Sequence, residues 1–387
     1  MSAWPDADWL NPLIALLQAV QLALLRLLSW LGVAGTSEGQ PAWPFALRLS
    51  GENLLIDLGQ GRRLALTLCA LALATAMVLL ALFWRRGRAW LAGLALLLVV
   101  LAPWPAAHVL LVPAVATSFH RSPTGFSAGS IVQGGALYAQ HCVGCHGADG
   151  RGQGPLAATQ PVWPPNLAGP LLWRRADGDL LWHILHGMQD RRGHATMPAF
   201  GAQFGGDEAW ALIDFMKAQG AGESLRATGV WAQPVAAPDM SVRCDHRAPR
   251  PLASWRGQRL RIVAADARSV PTLNDPRLVT IAVGRATDST RAAAADCTVE
   301  SADAWQALAL IAGTGALAGT ELLVDRDGWL RARGEPGQGA WSDDDLLCRT
   351  GSSPEATQRP PAADGLGALI ARIDAEPVRF VKGGFVH

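Results

Sequence analysis

Two long apolar runs near the N-terminus dominate the hydrophobic pattern of the chain. Residues 64–84 carry no charged side chain, and a second apolar run covers residues 89–112. A helix over residues 64–84 would extend about 31 Å, which is enough to cross the hydrocarbon core of a bilayer. Three cations, Arg85, Arg86 and Arg88, lie between the runs. Because short basic loops remain in the cytoplasm, the pattern predicts a transmembrane hairpin whose outer ends face the other side.

A third apolar stretch, residues 10–34, is interrupted by Gln18, Gln21 and Arg26. It is compatible with an amphipathic helix in the membrane interface or with a span whose polar stripe faces other helices. Its acidic leader, which lacks Lys and Arg, does not resemble a cleaved signal peptide. If the N-terminus stays inside and the next domain lies outside, the number of spans must be odd. We therefore predict a membrane anchor over residues 1–116, with spans at about 10–34, 64–84 and 89–112.

The last third of the chain changes to an alternation of strand and helix patterns. An Ala-, Pro- and Gly-rich segment, residues 221–240, predicts a linker. Beyond it, residues 259–264 and 278–283 have the composition of buried strands, and residues 302–311 that of a helix. Residues 321–333 predict a hairpin with Asp327-Gly328 at its turn. An α/β domain is therefore expected over residues 241–387.

Charge and length narrow the classes of function. The chain has 387 residues and a formal net charge of +1. Its length allows two or three domains. A nucleic-acid-binding surface needs a clear basic excess, so we expect no nucleic acid among the partners.

The motif with the clearest chemistry is Cys142-Val-Gly-Cys145-His146. Two thiols on one helical turn can each add to a haem vinyl group, and the adjacent histidine then faces the iron. A zinc half-site would need a second Cys or His pair, yet the next 90 or so residues contain no cysteine. A redox dithiol would not explain His146. The sequence predicts one covalently attached haem c held by Cys142, Cys145 and His146.

A second axial ligand is expected downstream, because electron-transfer haems are commonly held by His and Met. Met197 opens the sequence Met-Pro-Ala-Phe, in which the proline stiffens a loop that can present sulfur to iron. Met188 lies in a predicted helical stretch and is expected in the core. His183, His186 and His194 are the bis-histidine alternatives. We predict Met197 as the ligand.

Residues 125–220 resemble class I c-type cytochrome domains in the order of their parts. A helix at Ser130–Gln140 enters the motif, Pro164-Pro165 follows in a Pro-rich middle, and a helix at Asp207–Gln219 closes the domain. The resemblance implies that the Pro165 carbonyl accepts a hydrogen bond from the ligand histidine. The intervening run 147–155 is not a phosphate loop, since it lacks a Lys-Ser/Thr ending. Its glycines instead permit a close backbone approach, and Arg151 is more consistent with a surface cation than with a propionate partner.

Two weaker resemblances flank the cytochrome. Trp43-Pro44-Phe45, the apolar hairpin and His120-Arg121-Ser122-Pro123 are similar to the C-terminal end of copper-resistance D-type membrane proteins, with His108 and His120 as the local metal-ligand candidates. Ser254-Trp255-Arg256-Gly257 and the hairpin resemble thioredoxin-like proteins, including Sco-type copper chaperones. Residues 264–270 lack the cysteines of that active site. We expect Cys244, Cys297 and Cys348 to give one disulfide and one free thiol, with a metal site at Cys244 and His246 as the alternative.

The expected fold class is multidomain: transmembrane α-helices, an all-α cytochrome c domain, and an α/β thioredoxin-like domain without an active dithiol. The expected function is one-electron transfer, not enzymatic catalysis, with a redox partner protein in the membrane or periplasm. The protein is predicted to lie in lipid of a bacterial inner membrane with the cytochrome and C-terminal domains in the periplasm. Copper handling or oxidase assembly is the alternative, in which the haem supplies reducing electrons.

Overall fold

The computed structural model describes residues 9–55, 57–84, 86–169, 172, 174–245, 247–266, 274–285, 295–336, 341–348 and 365–378. Within them the chain divides into two compact units, one ending at Phe119 and one beginning at His120. The first unit holds the predicted membrane anchor. The second holds the cytochrome and the C-terminal domain.

Four helices and two small strand pairs make up the first unit. The helices are α1 Leu10–Trp30, α2 Leu58–Phe83, α3 Arg88–Leu101 and α4 Ala107–Leu110. Antiparallel pairs join β1 Thr36–Ser37 to β2 Gln40–Pro41, and β3 Leu47–Leu49 to β4 Leu111–Pro113. Glu52–Leu55 forms a 3₁₀ turn before α2.

The helices α1 and α2 are long and apolar enough to cross a membrane. The prediction of a third span at 89–112 is wrong in its extent, because α3 ends at Leu101. Pro103 and Pro105 follow, and proline can neither donate to a helix nor fit inside one. Residues 111–113 instead pair as a strand with Leu47–Leu49. At 14 residues, α3 is about 21 Å long, which is short of the hydrocarbon thickness.

The second unit opens with the predicted cytochrome. Its helices are α5 Ala128–His141, α6 Val143–His146, α7 Asp177–His186 and α8 Gly206–Thr228. A 3₁₀ turn spans Ala157–Thr159, and a two-stranded ribbon joins β5 Met188–Gln189 to β6 Ala195–Met197. The predicted entry and closing helices are confirmed. They cross at Gly134, where an added Cβ would lie 2.0 Å from the Ala211 carbonyl oxygen.

The first half of the predicted linker, residues 221–240, is helical. The helix α8 continues to Thr228, and Ala221 and Leu225 are buried in it. These side chains pack against the C-terminal domain in a hydrophobic core that also contains Ala128 and Ile131 of α5. The small residues that suggest a linker are therefore the contact surface of a helix.

A six-stranded sheet forms the C-terminal domain. Its strands are β7 Val235–Ala236, β10 Leu260–Ala264, β11 Val279–Gly284, β12 Cys297–Glu300, β13 Glu321–Val324 and β14 Trp329–Gly334, in the order β12-β11-β10-β13-β14-β7. The pairs β10–β11 and β11–β12 are parallel, and the others are antiparallel. The remaining elements are β8 Ser241–Val242, β9 Arg250–Pro251, α9 Ala302–Ile311, α10 Gly365–Ala375 and 3₁₀ turns at Leu252–Trp255 and Asp343–Asp345.

The two faces of this sheet bury different cores. Ile262 and Leu322, which are paired in register, belong to the core shared with α9 and the cytochrome helices. Their neighbours Leu323 and Ala332 pack with α10, because side chains alternate across a strand. The predicted hairpin is confirmed, with Gly328 at its turn. The expected disulfide joins Cys244 to Cys297, and Cys348 is a buried thiol outside this bridge.

Candidate haem-binding site

The Cys-x-x-Cys-His motif lies where α5 ends and the short helix α6 begins. Cys142 is the C-cap residue of α5, and its amide donates to the Tyr138 carbonyl at 2.9 Å. The His146 amide donates to the Cys142 carbonyl at 2.8 Å, which places both thiols and the imidazole on one turn. The buried Tyr138 hydroxyl donates to the Gly147 carbonyl at 2.9 Å. This bond holds the end of the motif against α5.

The imidazole of His146 is oriented by the loop that follows. Its Nδ1 lies 3.3 Å from the Pro165 carbonyl oxygen. That carbonyl can accept only if Nδ1 carries the proton, which leaves Nε2 as the unprotonated nitrogen that a metal would bind. Burial lowers the pKa of His146, so the ring is neutral at physiological pH. This is the hydrogen bond that the class I resemblance implies for Pro165.

The two thiols are free and lie beside the imidazole. Burial, with the neighbouring Cys145, raises the pKa of Cys142 to about 12. A catalytic dithiol needs the opposite shift, because its thiolate is the nucleophile. The raised pKa of Cys142 therefore argues against a redox dithiol.

Two methionines face each other on the ribbon across from the motif. Met188 and Met197 are paired in register on β5 and β6. The expectation that Met188 lies in a helix is wrong, since α7 ends at His186 and Gly187 adopts a positive φ that turns the chain into β5. The loop after Met197 is fixed to α7, where the Phe200 amide donates to the Ile184 carbonyl at 3.0 Å.

A cavity of about 310 Å³ connects these groups. Its walls include both motif cysteines, His146, Pro165, both ribbon methionines and apolar side chains of α7 and α8, among them Leu180, Ile184, Leu212 and Met216. The walls thus offer two thiols, a metal-binding imidazole and a thioether around a largely apolar space. This donor set fits a covalently attached haem, with the iron held by nitrogen and sulfur.

Among the histidine alternatives, only His183 lines the cavity, and burial together with Arg175 lowers its pKa. His186 stacks on Trp182 at a centroid distance of 3.7 Å, and His194 contacts the Asp190 carboxylate. Arg175, which no sequence motif marks, also lines the cavity and, within the described residues, makes no ion pair.

Arg151, considered as a propionate partner, instead contacts Glu223 at 3.4 Å and Asp149 at 3.6 Å. The single signal for Arg175 in the sequence is its place just after the Pro-rich loop.

Other metal-binding candidates receive no support from the geometry. The alternative site at Cys244 and His246 loses its thiol to the disulfide, and His246 lies outside the described residues. In the described part of the chain, no group of three His, Cys, Asp or Glu side chains could hold a metal ion. Within the described residues, His108 and His120 therefore do not belong to a metal-binding group of three side chains.

Comparison with known proteins finds similarity in the cytochrome region of the chain. Residues 129–216 match the family described as cytochrome C oxidase, cbb3-type, subunit III. The chain is 31% identical over 93 residues to the Cbb3-type cytochrome c oxidase subunit FixP of Rhizobium meliloti (strain 1021). That alignment covers 24% of this chain and 29% of the relative, so the chain spans less than a third of that protein.

Among solved structures, a chain of the reducing HAO-like protein complex of Kuenenia stuttgartiensis matches at 22% identity with a TM-score of 0.23. The match covers 32% of this chain and 59% of that one, and such a score is too low to indicate a shared fold.

The matched residues include the whole motif, the Pro-rich loop and Met197. With the two span-length helices, the relative indicates a membrane-anchored protein. The prediction of an electron-transfer protein, and not an enzyme, is confirmed at the level of the family. Residues 129–216 therefore form a cytochrome c domain similar to those of the cbb3-type family, a family whose members bind haem c covalently.

Proposed function

We propose that the protein is a membrane-anchored mono-haem cytochrome that passes single electrons to or from a membrane-bound respiratory partner. The haem thioether bonds form at Cys142 and Cys145, and the iron is held by His146 and Met197. The observation that carries the proposal is the His146–Pro165 hydrogen bond beside two free thiols, in a cavity that Met197 also lines.

Each residue has a definite part in this chemistry. A bound haem supplies the one-electron couple of its iron. The Pro165 carbonyl fixes the tautomer and orientation of His146, so the ligand does not rotate when the iron charge changes. Apolar walls limit the reorganisation of water around that charge. Arg175 is the guanidinium available at the cavity to pair with a propionate carboxylate.

The disulfide between Cys244 and Cys297 supports a periplasmic location for the second unit. Such a bond needs an oxidising compartment, and the periplasm provides one. With the anchor in the inner membrane of a bacterium, the second unit would then lie on the periplasmic side.

For the C-terminal domain we propose a thioredoxin-like fold that has lost its dithiol. The parallel pair β10–β11, the antiparallel hairpin β13–β14 beside β10, and the closing helix α10 support this assignment. The segment after β10, where the dithiol of that fold would lie, is Ala-Asp-Ala-Arg-Ser-Val and contains no cysteine. The domain then serves as structural support for the cytochrome.

Pyridine haemochrome analysis tests the haem assignment directly. The full chain, produced in a host competent for haem attachment and purified in detergent, should contain one covalent haem per chain. The double variant Cys142→Ser/Cys145→Ser should contain none. Colourless wild-type protein from such a host would refute the proposal.

Redox titration then tests the sulfur ligand. Met197→Ala should lower the reduction potential and allow the reduced protein to bind carbon monoxide, because a thioether ligand raises the potential and fills the coordination site. Met188→Ala on the facing strand is the matched control and should do neither. The opposite result would make Met188 the ligand.

A further inference from the structure

The glycine-rich run after the motif folds back along the motif helix. The amides of Gly152, Gly154 and Leu156 donate to the carbonyls of His146, Cys145 and Gly144, at 2.8, 3.0 and 2.8 Å. These are carbonyls at the C-terminal end of α6, which have no partner inside the helix. The run therefore binds the backbone of the residues that carry the haem ligands.

Gly152 also contacts the Pro-rich loop. An added Cβ at this position would lie 2.2 Å from the Pro164 carbonyl oxygen and 3.2 Å from that of Pro165. The Gly152 amide is bonded to the His146 carbonyl, so this one residue lies between the two segments that supply Nδ1 and its acceptor. Its φ of +78° is a second reason why only glycine fits there without strain.

We propose that Gly152 is a positioning residue that sets the distance between the His146 imidazole and the Pro165 carbonyl, and thereby the reduction potential. This inference rests on the proposed function. A close carbonyl makes the imidazole a more basic ligand, which stabilises the ferric iron. A side chain at residue 152 pushes the loop away, weakens the hydrogen bond and raises the potential.

Gly152→Ala and Gly150→Ala, made in the full chain, separate this effect from general strain. Gly150 has nearly the same backbone conformation, with φ of +72°, but its Cβ would meet the end of the Gln219 side chain at 3.3 Å and the Ala168 amide nitrogen at an ordinary 3.7 Å. Both variants carry the same strain from a positive φ. Only the first would displace the Pro164 carbonyl.

Three measurements give the outcome: haem content, reduction potential, and the chemical shift of the His146 Nδ1 proton in ¹⁵N-labelled reduced protein. We expect one haem per chain in both variants, a higher potential for Gly152→Ala, and an upfield shift of its ring proton. Gly150→Ala should match the wild type in all three. Equal potentials and shifts in the two variants would overturn the inference.

If Gly152→Ala does not accumulate, a variant of the Pro-rich loop tests the same distance between His146 Nδ1 and the Pro165 carbonyl oxygen. Pro165→Ala keeps the acceptor carbonyl but removes the ring that restricts the backbone, so the hydrogen bond should weaken and the potential rise. An unchanged potential in haem-loaded Pro165→Ala would also overturn the inference. Absence of covalent haem in the purified wild-type protein would contradict the proposed function itself. Failure of the inference about Gly152 and failure of the proposed function are therefore distinguishable.

Discussion

Replacing Gly222 by alanine tests the contact between α8 and the C-terminal domain. An added Cβ would lie 1.9 Å from the Leu310 carbonyl oxygen at the end of α9. That atom is backbone, so it cannot rotate away as a side chain could. The two helices must move apart, and overpacking of this kind costs about 1–3 kcal/mol.

The neighbouring Gly220 gives a matched control in the same helix. Its Cβ would meet the Leu167 carbonyl oxygen at 3.5 Å, an ordinary contact. Glycine to alanine inside a helix stabilises by roughly 0.5–1 kcal/mol, and both variants share this gain. The difference in unfolding free energy between Gly222→Ala and Gly220→Ala therefore measures the clash alone. We expect it near the upper end, about 2–3 kcal/mol, because the obstructing atom is backbone.

Thermal unfolding of the full chain in detergent provides the assay. The haem Soret band reports on the cytochrome, and tryptophan fluorescence reports on both parts of the unit. A difference of about 2–3 kcal/mol corresponds to a lower midpoint by roughly 4–12 °C for Gly222→Ala. Both signals should shift together, since α8 belongs to the shared core. Equal midpoints for the two variants would refute the packing argument.

Three further predictions concern the second unit. Arg331→Met should destabilise it by about 3–5 kcal/mol in denaturant titration, because the buried Arg331 pairs with the buried Asp325 carboxylate at 3.2 Å. Burial raises the pKa of Asp214 above its usual 3.8. The wild type should therefore lose stability relative to Asp214→Asn as the pH rises from about 4 toward neutrality. Parallel curves of unfolding free energy against pH for the two proteins would contradict this. Opening the Cys244–Cys297 bridge, which closes a loop of 53 residues, should cost about 4 kcal/mol, measured against a Cys-to-Ser double variant.

The ligand residues of the haem site could be predicted because they belong to short sequence motifs. The spacing from Cys142 to His146 requires one helical turn, and Met197 with its proline identifies the facing strand. Arg175 has no such motif around it. Its place on the cavity wall depends on how the loop before α7 runs, and residues 170, 171 and 173 of that loop lie outside the described residues.

The extent of helices was harder to predict because composition is ambiguous. Ala221 and Gly222 suit a flexible linker as well as a helix that packs closely on another. The deciding information is the Leu310 carbonyl, which lies 88 residues further along the chain. In the anchor, hydropathy predicts a span through Val112, but the prolines at 103 and 105 follow directly on the end of α3.

The division of α8 into two contact regions connects the haem to the C-terminal domain. Its first half supplies Leu212 and Met216 to the cavity, and its second half buries Ala221 and Leu225 in the shared core. Every residue that lines the cavity in the described part of the chain precedes Ala218, so none of these lining residues belongs to the C-terminal domain. One continuous helix thus contributes side chains both to the cavity wall and to the shared core. The same reasoning requires that Gly222→Ala lower the stability seen at the haem while leaving its ligands in place.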